Sequence, residues 1–254
     1  LLKGGASVDT PAKGGGTALL YAAAGGHSDA VSALISHGAS VEARTGGGRT
    51  PLMLLAQTGL AETLAELLRG KPSLEAKTER GVAAVRSAAR AGESECVHML
   101  CGRGADADAT DGEGRSALML AAFAGHVAAA TALLDHGVKP KEATDEEGLS
   151  AFAHAAHGGS VEMISMLLSR GLSVESATPD GRTALMLAAR TGKVDVVTAL
   201  VDLGANIEAR DVRSRSALTH AVAGSQVESI GALVKCGANV NEKCVNGGTP
   251  IMIA

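Results

Sequence analysis

The sequence predicts an all-α solenoid, built from stacked helix-turn-helix repeats that are joined by projecting, hairpin-like loops. Three observations in the 254 residues point to this fold: a motif that recurs every 33 or 34 residues, glycines at fixed distances from it, and a shortage of aromatic residues. The motif is usually a Thr or Ser followed by a small residue and Leu. Its first residue, which we call the anchor, falls at Thr17, Thr50, Ala83, Ser116, Ser150, Thr183, Ser216 and Thr249.

Each period contains two short segments with apolar residues at helical spacing. After the anchor Thr17, the apolar residues are Leu19, Ala22 and Ala23, and positions 31–35 show the same spacing. Glycines follow each segment, as at Gly38, and glycine readily adopts the left-handed backbone that ends helices. The sequence therefore predicts two helices of two or three turns per repeat, each with one apolar face.

A pair of such helices cannot bury its apolar face alone, so each repeat must stack on its neighbours. The chain contains one Tyr, two Phe and no Trp, so Ala, Leu and Val have to fill the space between the helices. Large rings would force closely packed helices apart. A thin, continuous core of small side chains is therefore expected.

The repeats resemble the ankyrin repeat, and the resemblance extends over essentially the whole chain. It is carried by residues 49–56 and 181–189, and by Gly204-Ala205-Asn206-Ile207, which closes the second of these units. Two departures stand out. The Pro that follows the anchor in this family is present only at Pro51 and Pro250, and the family's His after the motif Leu is replaced by Met at Met53, Met119, Met186 and Met252. Thioether packing is expected in place of hydrogen bonds between repeats through that His.

We expect residues 1–254 to form a single array of about seven full repeats, starting at the anchors from Thr17 to Ser216, with partial repeats at both ends. Because neither end shows a polar cap, the chain is expected to be a fragment of a longer protein. The repeat at Ala83 diverges most, since it lacks a Thr or Ser anchor and carries Arg86 on its first helix. It is predicted to be a weak point or a functional deviation.

Composition excludes several classes of protein. A formal net charge of −4 and a pI near 6.1 argue against a generic nucleic-acid binder. No apolar stretch is long enough for a membrane span, and the N-terminus lacks a signal-peptide pattern. The cysteines form no CxxC pair and are predicted to be free thiols in a reducing compartment: Cys96, Cys101, Cys236 and Cys244. We predict a cytoplasmic protein without membrane insertion, with the nucleus and the cytoskeleton as alternative locations.

The sequence contains no complete motif for catalysis, metal binding or cofactor binding. His154 and His157 could form half of a metal site, but no ligand at a suitable spacing completes it. Residues 106–112 are rich in Asp but lack the spacing of a calcium loop, and the glycine clusters at 14–16 and 46–48 lack the Lys-Ser/Thr of a phosphate loop. The sequence therefore predicts a protein that is not an enzyme and has no catalytic residue, cofactor or metal site.

The resemblance to ankyrin repeats implies that partners bind at the loop tips and at the exposed turn of the first helix. These positions lie at offsets −4, −3, −1, +7, +8 and +27 from each anchor, and basic residues are concentrated there. Together with one aromatic and one leucine, they are predicted to bind a partner: Arg44, Arg49, Lys77, Arg80, Arg90, Arg115, Phe123, Leu149, Arg182, Arg190, Arg210, Arg213, Arg215 and Lys243. The alternative is that these loop tips are only solvated.

The favoured hypothesis is a non-catalytic scaffold for protein–protein interaction, whose concave, basic face binds an extended acidic segment of a partner. Phe123 and Leu149 would add apolar contact, and cytoskeletal or scaffold proteins with acidic tails are suitable partners. The alternative is a substrate-recruiting or regulatory module of a larger enzyme, such as a kinase, ubiquitin ligase or acyltransferase, with its catalytic domain outside this chain. Nucleic acid is a disfavoured partner, because the chain has few aromatic residues for stacking and a negative net charge.

Overall fold

A computed structural model describes residues 7–140, 143–242 and 249. These residues contain fourteen α-helices of seven to nine residues, arranged as seven consecutive pairs. The helices are α1 Ala18–Ala24, α2 Ser28–Ser36, α3 Pro51–Thr58, α4 Ala61–Arg69, α5 Ala84–Ala91, α6 Ser94–Gly102, α7 Ala117–Ala124, α8 Val127–Asp135, α9 Ala151–Gly158, α10 Val161–Ser169, α11 Ala184–Arg190, α12 Val194–Asp202, α13 Ala217–Ala223 and α14 Val227–Lys235. The predicted all-α repeat fold is confirmed.

In most repeats the anchor residue caps the first helix with its side chain, although Thr17 makes no such bond. The side chains of Thr50, Ser150, Thr183 and Ser216 each accept a hydrogen bond from a backbone N–H three residues later. This bond satisfies one of the amide groups that the first turn of a helix leaves without a partner. Ala83 cannot supply it, so α5 begins without a side-chain cap. The recurring Thr or Ser is therefore a helix-start signal.

The chain divides into two compact units. Unit 1 comprises the chain up to Ala121 together with Ala128–Lys139, and unit 2 comprises Ala122–Val127 and the chain from Pro140 onward. In unit 1, α1, α3 and α5 pack side by side, and α2, α4 and α6 form a second row beside them. In unit 2, α9, α11 and α13 form one row, and α10, α12 and α14 form the other. The extent of the array as one domain stays a prediction.

Aliphatic side chains and alanines fill the space between the two rows of helices. Leu64 and Leu100 have no solvent exposure in unit 1, and Phe152 and Leu200 have none in unit 2. The methionines that replace the family's His are also buried, with exposures of 1% or less at Met53, Met119 and Met186. Thioether packing at this position is thus confirmed, while Met252 lies outside the described residues.

The loop before each first helix forms a hairpin-like turn. In unit 1, the N–H of Thr45 donates to the carbonyl of Arg49 at 3.0 Å, and in unit 2 the N–H of Asp145 donates to the carbonyl of Leu149 at 3.1 Å. A glycine two residues before the anchor usually has a positive φ, as at Gly81 with 73°. Ser214 takes the same conformation with φ 55°, although it carries a side chain.

Acidic side chains connect successive repeats. The carboxylate of Glu75 accepts the N–H of Asp106 at 2.9 Å, 31 residues further along unit 1. The carboxylate of Glu175 accepts the N–H of Asn206 at 2.7 Å in unit 2, at the same separation. These bonds satisfy backbone amides and fix the register between neighbouring repeats. They also place the loop tips of each unit in a regular row.

None of the described helices is both long enough and apolar enough to cross a lipid bilayer.

Candidate functional site: a basic loop-tip surface

We define the basic loop-tip surface as those basic residues, predicted above to bind a partner, that the structure describes. The exposed members are Arg44, Lys77, Arg80 and Arg90 in unit 1, and Arg190, Arg210 and Arg213 in unit 2. The half-buried members are Arg49, Arg115, Arg182 and Arg215. Lys243 lies outside the described residues. Each unit therefore carries its own part of this surface.

Several of these arginines bind acidic side chains of the same chain. The guanidinium of Arg182 lies 2.8 Å from the carboxylate of Asp180. A nitrogen of Arg210 lies 3.3 Å from the carboxylate of Glu242 and another donates to the carbonyl of Ser214 at 3.0 Å. The charge available to a partner is thus smaller than the sequence suggests, because these cations already have counterions.

An aspartate five residues before the anchor organises three of the loops. Asp111, Asp145 and Asp211 each accept hydrogen bonds from backbone N–H groups two and four residues later, at 2.8–3.0 Å. In three other loops a threonine occupies this offset, and Thr45 and Thr178 accept only the later N–H, at 3.1 and 3.0 Å. The aspartates therefore place a negative charge directly beneath the loop tip.

The carboxylate of Asp211 is the most strongly stabilised of these charges. It is bound by Arg215 at 2.7 Å and by the Nε2–H of His220 at 3.0 Å. Burial opposes its ionisation, but the hydrogen bonds from Arg215, His220 and the backbone N–H of Arg213 outweigh this and lower the pKa of Asp211 to about 2. Burial lowers the pKa of His220 despite its bond to Asp211. The lowered pKa favours the neutral form of this buried histidine in unit 2.

Five cations of the surface make neither an ion pair nor a side-chain hydrogen bond with the part of the chain that the structure describes. Lys77, Arg80 and Arg90 lie in unit 1, and Arg190 and Arg213 lie in unit 2. All of them are exposed. They are the side chains that a negatively charged partner can bind without breaking an existing ion pair.

Two further arginines of the surface bind neutral groups. A nitrogen of Arg44 donates to the carbonyl of Lys77 at 3.0 Å, 33 residues along the chain, and so connects neighbouring loops. Arg49 donates to the side-chain carbonyl of Gln57 at the end of α3. These arginines keep their full positive charge while their geometry is fixed by the fold.

Phe123 is half exposed, as its offset predicts, and contacts two histidines of unit 2 edge-on. Its exposed fraction is 50%, and its ring centre lies 5.6 Å from that of His157 and 6.3 Å from that of His154. His154 donates from Nε2 to the carboxylate of Asp145 at 2.8 Å. The Phe123 ring, held by these histidines, therefore offers an apolar contact in a fixed orientation.

The exposure expected for Leu149 is wrong. Leu149 is 4% exposed and packs with Ala153 and Leu187 inside unit 2. Its offset is the one occupied by Arg49, Arg115, Arg182 and Arg215 in other repeats, where a long stem covers the core and carries the charged head outward. Leu has no such head, so it stays in the core, and it is left out of the surface.

Unit 1 contains a groove of about 590 Å³ within this surface. Five arginines line it, together with two acidic side chains: Arg49, Arg80, Arg86, Arg90 and Arg115, with Glu79 and Asp111. A lysine is absent from this lining. The groove has the size of a site for a small ligand or a short peptide segment.

Arg86 forms the buried floor of this groove. It occupies the position of Met53, Met119 and Met186 in other repeats, and its side chain is 1% exposed. Its guanidinium lies 2.5 Å from the carboxylate of Asp111 and donates to the carbonyl of Gly81 at 2.9 Å. Burial lowers the pKa of Arg86 below its ordinary value, and the nearby charge of Asp111 opposes that shift. The sequence marked Arg86 as a divergence but did not place it in the site.

One of the candidate metal ligands, His154, donates to the carboxylate of Asp145. No group of three or more His, Cys, Asp or Glu side chains in the described ranges could hold a metal ion. Cys96, Cys101 and Cys236 are free, and Cys244 lies outside the described residues. Burial raises the pKa of the Cys96 and Cys101 thiols to about 11. Both thiols are therefore protonated and unreactive near neutral pH.

Comparison with known proteins agrees with this architecture. A family model described as "Ankyrin repeats (3 copies)" matches residues 1–78, 59–144, 85–178 and 137–211. The crystal structure of the human ASB11 ankyrin repeat domain is similar to this chain with a TM-score of 0.73 and 26% identity, over 81% of this chain and 92% of that one. A comparison with curated proteins gave no match. The stacked helix pairs, the capped anchors and the family matches together show that the chain belongs to the ankyrin-repeat family.

Proposed function

We propose that the chain is a non-catalytic protein–protein interaction module that binds an extended acidic segment of a partner through the basic loop-tip surface. Ankyrin repeats are generally modules for binding other proteins, which supports the broad function. The observation that carries the finer proposal is the set of exposed cations with neither a counterion nor a side-chain hydrogen bond among the described residues: Lys77, Arg80, Arg90, Arg190 and Arg213. A partner with matching negative charge gains from pairing with them at little cost in broken contacts.

The proposal assigns different roles to the members of the surface. Arg44, Arg49, Arg182 and Arg215 hold the loops in shape, while the five cations without a side-chain partner contact the acidic segment. Phe123 supplies an apolar contact in unit 2. A partner segment from a cytoskeletal or scaffold protein with an acidic tail has the chemistry that this surface requires. We place the complex inside the cell, since the thiols of Cys96 and Cys101 are free.

A fluorescence anisotropy titration with a labelled glutamate-rich peptide tests the proposal. Affinity should fall as salt is raised, because the contacts are exposed ion pairs. The double variants Arg80→Glu with Arg90→Glu, and Arg190→Glu with Arg213→Glu, should each weaken binding about tenfold. The matched control is Arg69→Glu with Lys235→Glu, which changes the net charge equally but alters exposed cations at the ends of α4 and α14.

The control variant should bind like the parent. Equal weakening by all three double variants would mean that only net charge matters, and the loop-tip surface would lose its special role. Binding that is insensitive to salt in the parent would contradict the electrostatic proposal itself. Helical content measured by circular dichroism confirms in each case that the variant is folded.

A further inference from the structure

We infer that the groove around Arg86 in unit 1 is a binding site for a phosphorylated side chain, a phosphoserine or phosphothreonine, within the partner segment. This inference rests on the proposed function and specifies its anchor point. It starts from the residue at which the repeat departs from its own pattern, since Arg86 replaces the buried methionine of Met53, Met119 and Met186.

A buried arginine is a costly replacement for a methionine. Its charge loses hydration and has to be compensated by a carboxylate and by hydrogen bonds. Asp111 supplies the carboxylate at 2.5 Å, but the same carboxylate oxygen also lies 3.1 Å from a nitrogen of Arg115. Two guanidinium groups thus share one carboxylate, and the floor of the groove stays positively charged.

Donors exceed acceptors at this floor. The Nε of Arg86 is buried and has no hydrogen-bond partner among the residues that the structure describes. Asp111 already accepts the backbone N–H groups of Glu113 and Arg115 at 3.0 and 2.9 Å, so its oxygens are saturated. An anion in the groove would complete the compensation that one carboxylate cannot provide.

The charge balance selects the kind of anion. Five arginines against Glu79 and Asp111 leave an excess of three positive charges in the lining. Glu113, outside the lining and 67% exposed, lies 2.9 Å from Arg115 and reduces this excess to two. A phosphomonoester carries −1.5 to −2 charges near neutral pH, whereas a carboxylate carries one. The phosphate therefore balances the groove and a single carboxylate does not.

The chemistry of the lining agrees with the charge. Every cation that lines the groove is an arginine, the residue whose planar, forked donors match the oxygens of phosphate. Arg80 and Arg90 are exposed at its rim and have no described counterion, so they can turn toward a bound phosphate. The volume of about 590 Å³ leaves room for the peptide backbone on either side of the phosphorylated residue.

Unit 2 supplies a matched comparison. Arg190 has the same offset from Thr183 as Arg90 has from Ala83. The residue at the offset of Arg86 is Met186 there, and the residue at the offset of Arg80 is Asp180. The equivalent place in unit 2 therefore lacks the buried cation and carries an acid at its rim. Phosphate selectivity is expected in unit 1 alone.

The test uses three labelled peptides with identical acidic flanks and a central phosphoserine, glutamate or serine, titrated against the full chain by fluorescence anisotropy. The phosphoserine peptide should bind at least about tenfold more tightly than the serine peptide, the effect of one charge-assisted hydrogen bond or more. Arg90→Gln should reduce this ratio severalfold, and Arg86→Met should abolish most of it. Arg190→Gln, the matched control, removes a cation that contacts the acidic flanks, so it should weaken binding of the three peptides alike and leave their ratio unchanged.

Three results would overturn the inference: a ratio near one in the parent, a ratio that survives in both groove variants, or a glutamate peptide that binds as tightly as the phosphoserine peptide. Arg90 is exposed, so Arg90→Gln keeps the test decisive if Arg86→Met fails to fold. If the serine peptide shows salt-dependent binding while the phosphate advantage is absent, the proposed function stands and the inference alone fails. If none of the peptides binds, both fail.

Discussion

Replacing Asp111 with asparagine should destabilise unit 1 strongly, and the size of the effect should depend on Arg86. The Asp111 side chain is 4% exposed and lies 2.5 Å from the guanidinium of Arg86, which is itself 1% exposed. Asn keeps an oxygen that can accept the backbone N–H groups of Glu113 and Arg115, so the turn survives. What is removed is the negative charge that faces a buried cation.

The size of the destabilisation follows from the burial of Arg86, whose charge would be left without its carboxylate. Removing one partner of a buried ion pair costs about 3–5 kcal/mol, because the other charge remains in a poorly solvated place. In the background of Arg86→Met, the same Asp111→Asn change removes only the pairing with the half-buried Arg115, worth about 1 kcal/mol or less. The double-mutant cycle should therefore give a coupling of about 2–4 kcal/mol between Asp111 and Arg86.

Urea unfolding followed by far-ultraviolet circular dichroism measures the four proteins of this cycle. Circular dichroism is the suitable signal because the chain has no Trp and a single Tyr. Hydrogen exchange of the α5 segment shows whether the loss is confined to unit 1. Asp145→Asn is the matched control, since Asp145 makes the same backbone bonds but faces the histidine His154 and not a buried arginine. A coupling below about 0.5 kcal/mol would refute the view that this carboxylate balances the buried charge.

Two substitutions at positions of positive φ, and a change of pH, should also alter the stability of the fold. Gly81→Ala should cost about 1–2 kcal/mol in urea unfolding, because Gly81 has φ +73° and a Cβ there would lie 3.3 Å from the Cα of Asp111. Ser214→Gly should raise the free energy of unfolding by about 0.5–1 kcal/mol, and the urea midpoint with it, since it removes a side chain at φ 55°. Folded Asp211 titrates near 2 instead of 3.8, and His220 also titrates below its unfolded value of 6.5. Both groups bind protons more strongly in the unfolded state, so lowering the pH destabilises the fold. The melting temperature should fall as the pH drops below 6.5, because of His220. It should fall again from about pH 4 toward 2, where the loss from Asp211 reaches about 2 kcal/mol. His220→Gln should remove the first of these losses but not the second.

The sequence predicts the helices well because their cause is local. The anchors Thr50 and Thr183 cap helices with their own side chains, and the apolar spacing that follows needs only the neighbouring repeat to be buried. At Ser214 the fold, and not the residue type, decides the local backbone conformation. It adopts a glycine-like backbone because the repeat requires that turn, so its place in the period explains its conformation better than its residue type does.

The site was harder to predict, because charge compensation depends on side-chain contacts. Asp211 lies at an offset that was not counted in the loop-tip surface, yet it binds Arg215 at 2.7 Å and cancels its charge. Glu242, 26 residues after the anchor Ser216, reaches back to Arg210. An aspartate placed five residues before an anchor, together with an arginine four residues later, is the signal that would have revealed the first of these pairs.

Arg86 bears on the stability of unit 1 and on the proposed phosphate selectivity, and one variant distinguishes these two roles. If its charge served the fold, Arg86→Met would destabilise the chain, because Asp111 would lose a partner. Asp111 keeps Arg115 at 3.1 Å and two backbone N–H groups, so it is not left as an isolated buried charge. Well-packed apolar residues often match or exceed a buried ion pair in stability, and methionine already fills this position at Met53 and Met186. Arg86→Met should thus unfold at the same urea concentration as the parent or a higher one while losing phosphate selectivity, and a variant that lost stability instead would assign Arg86 to the fold.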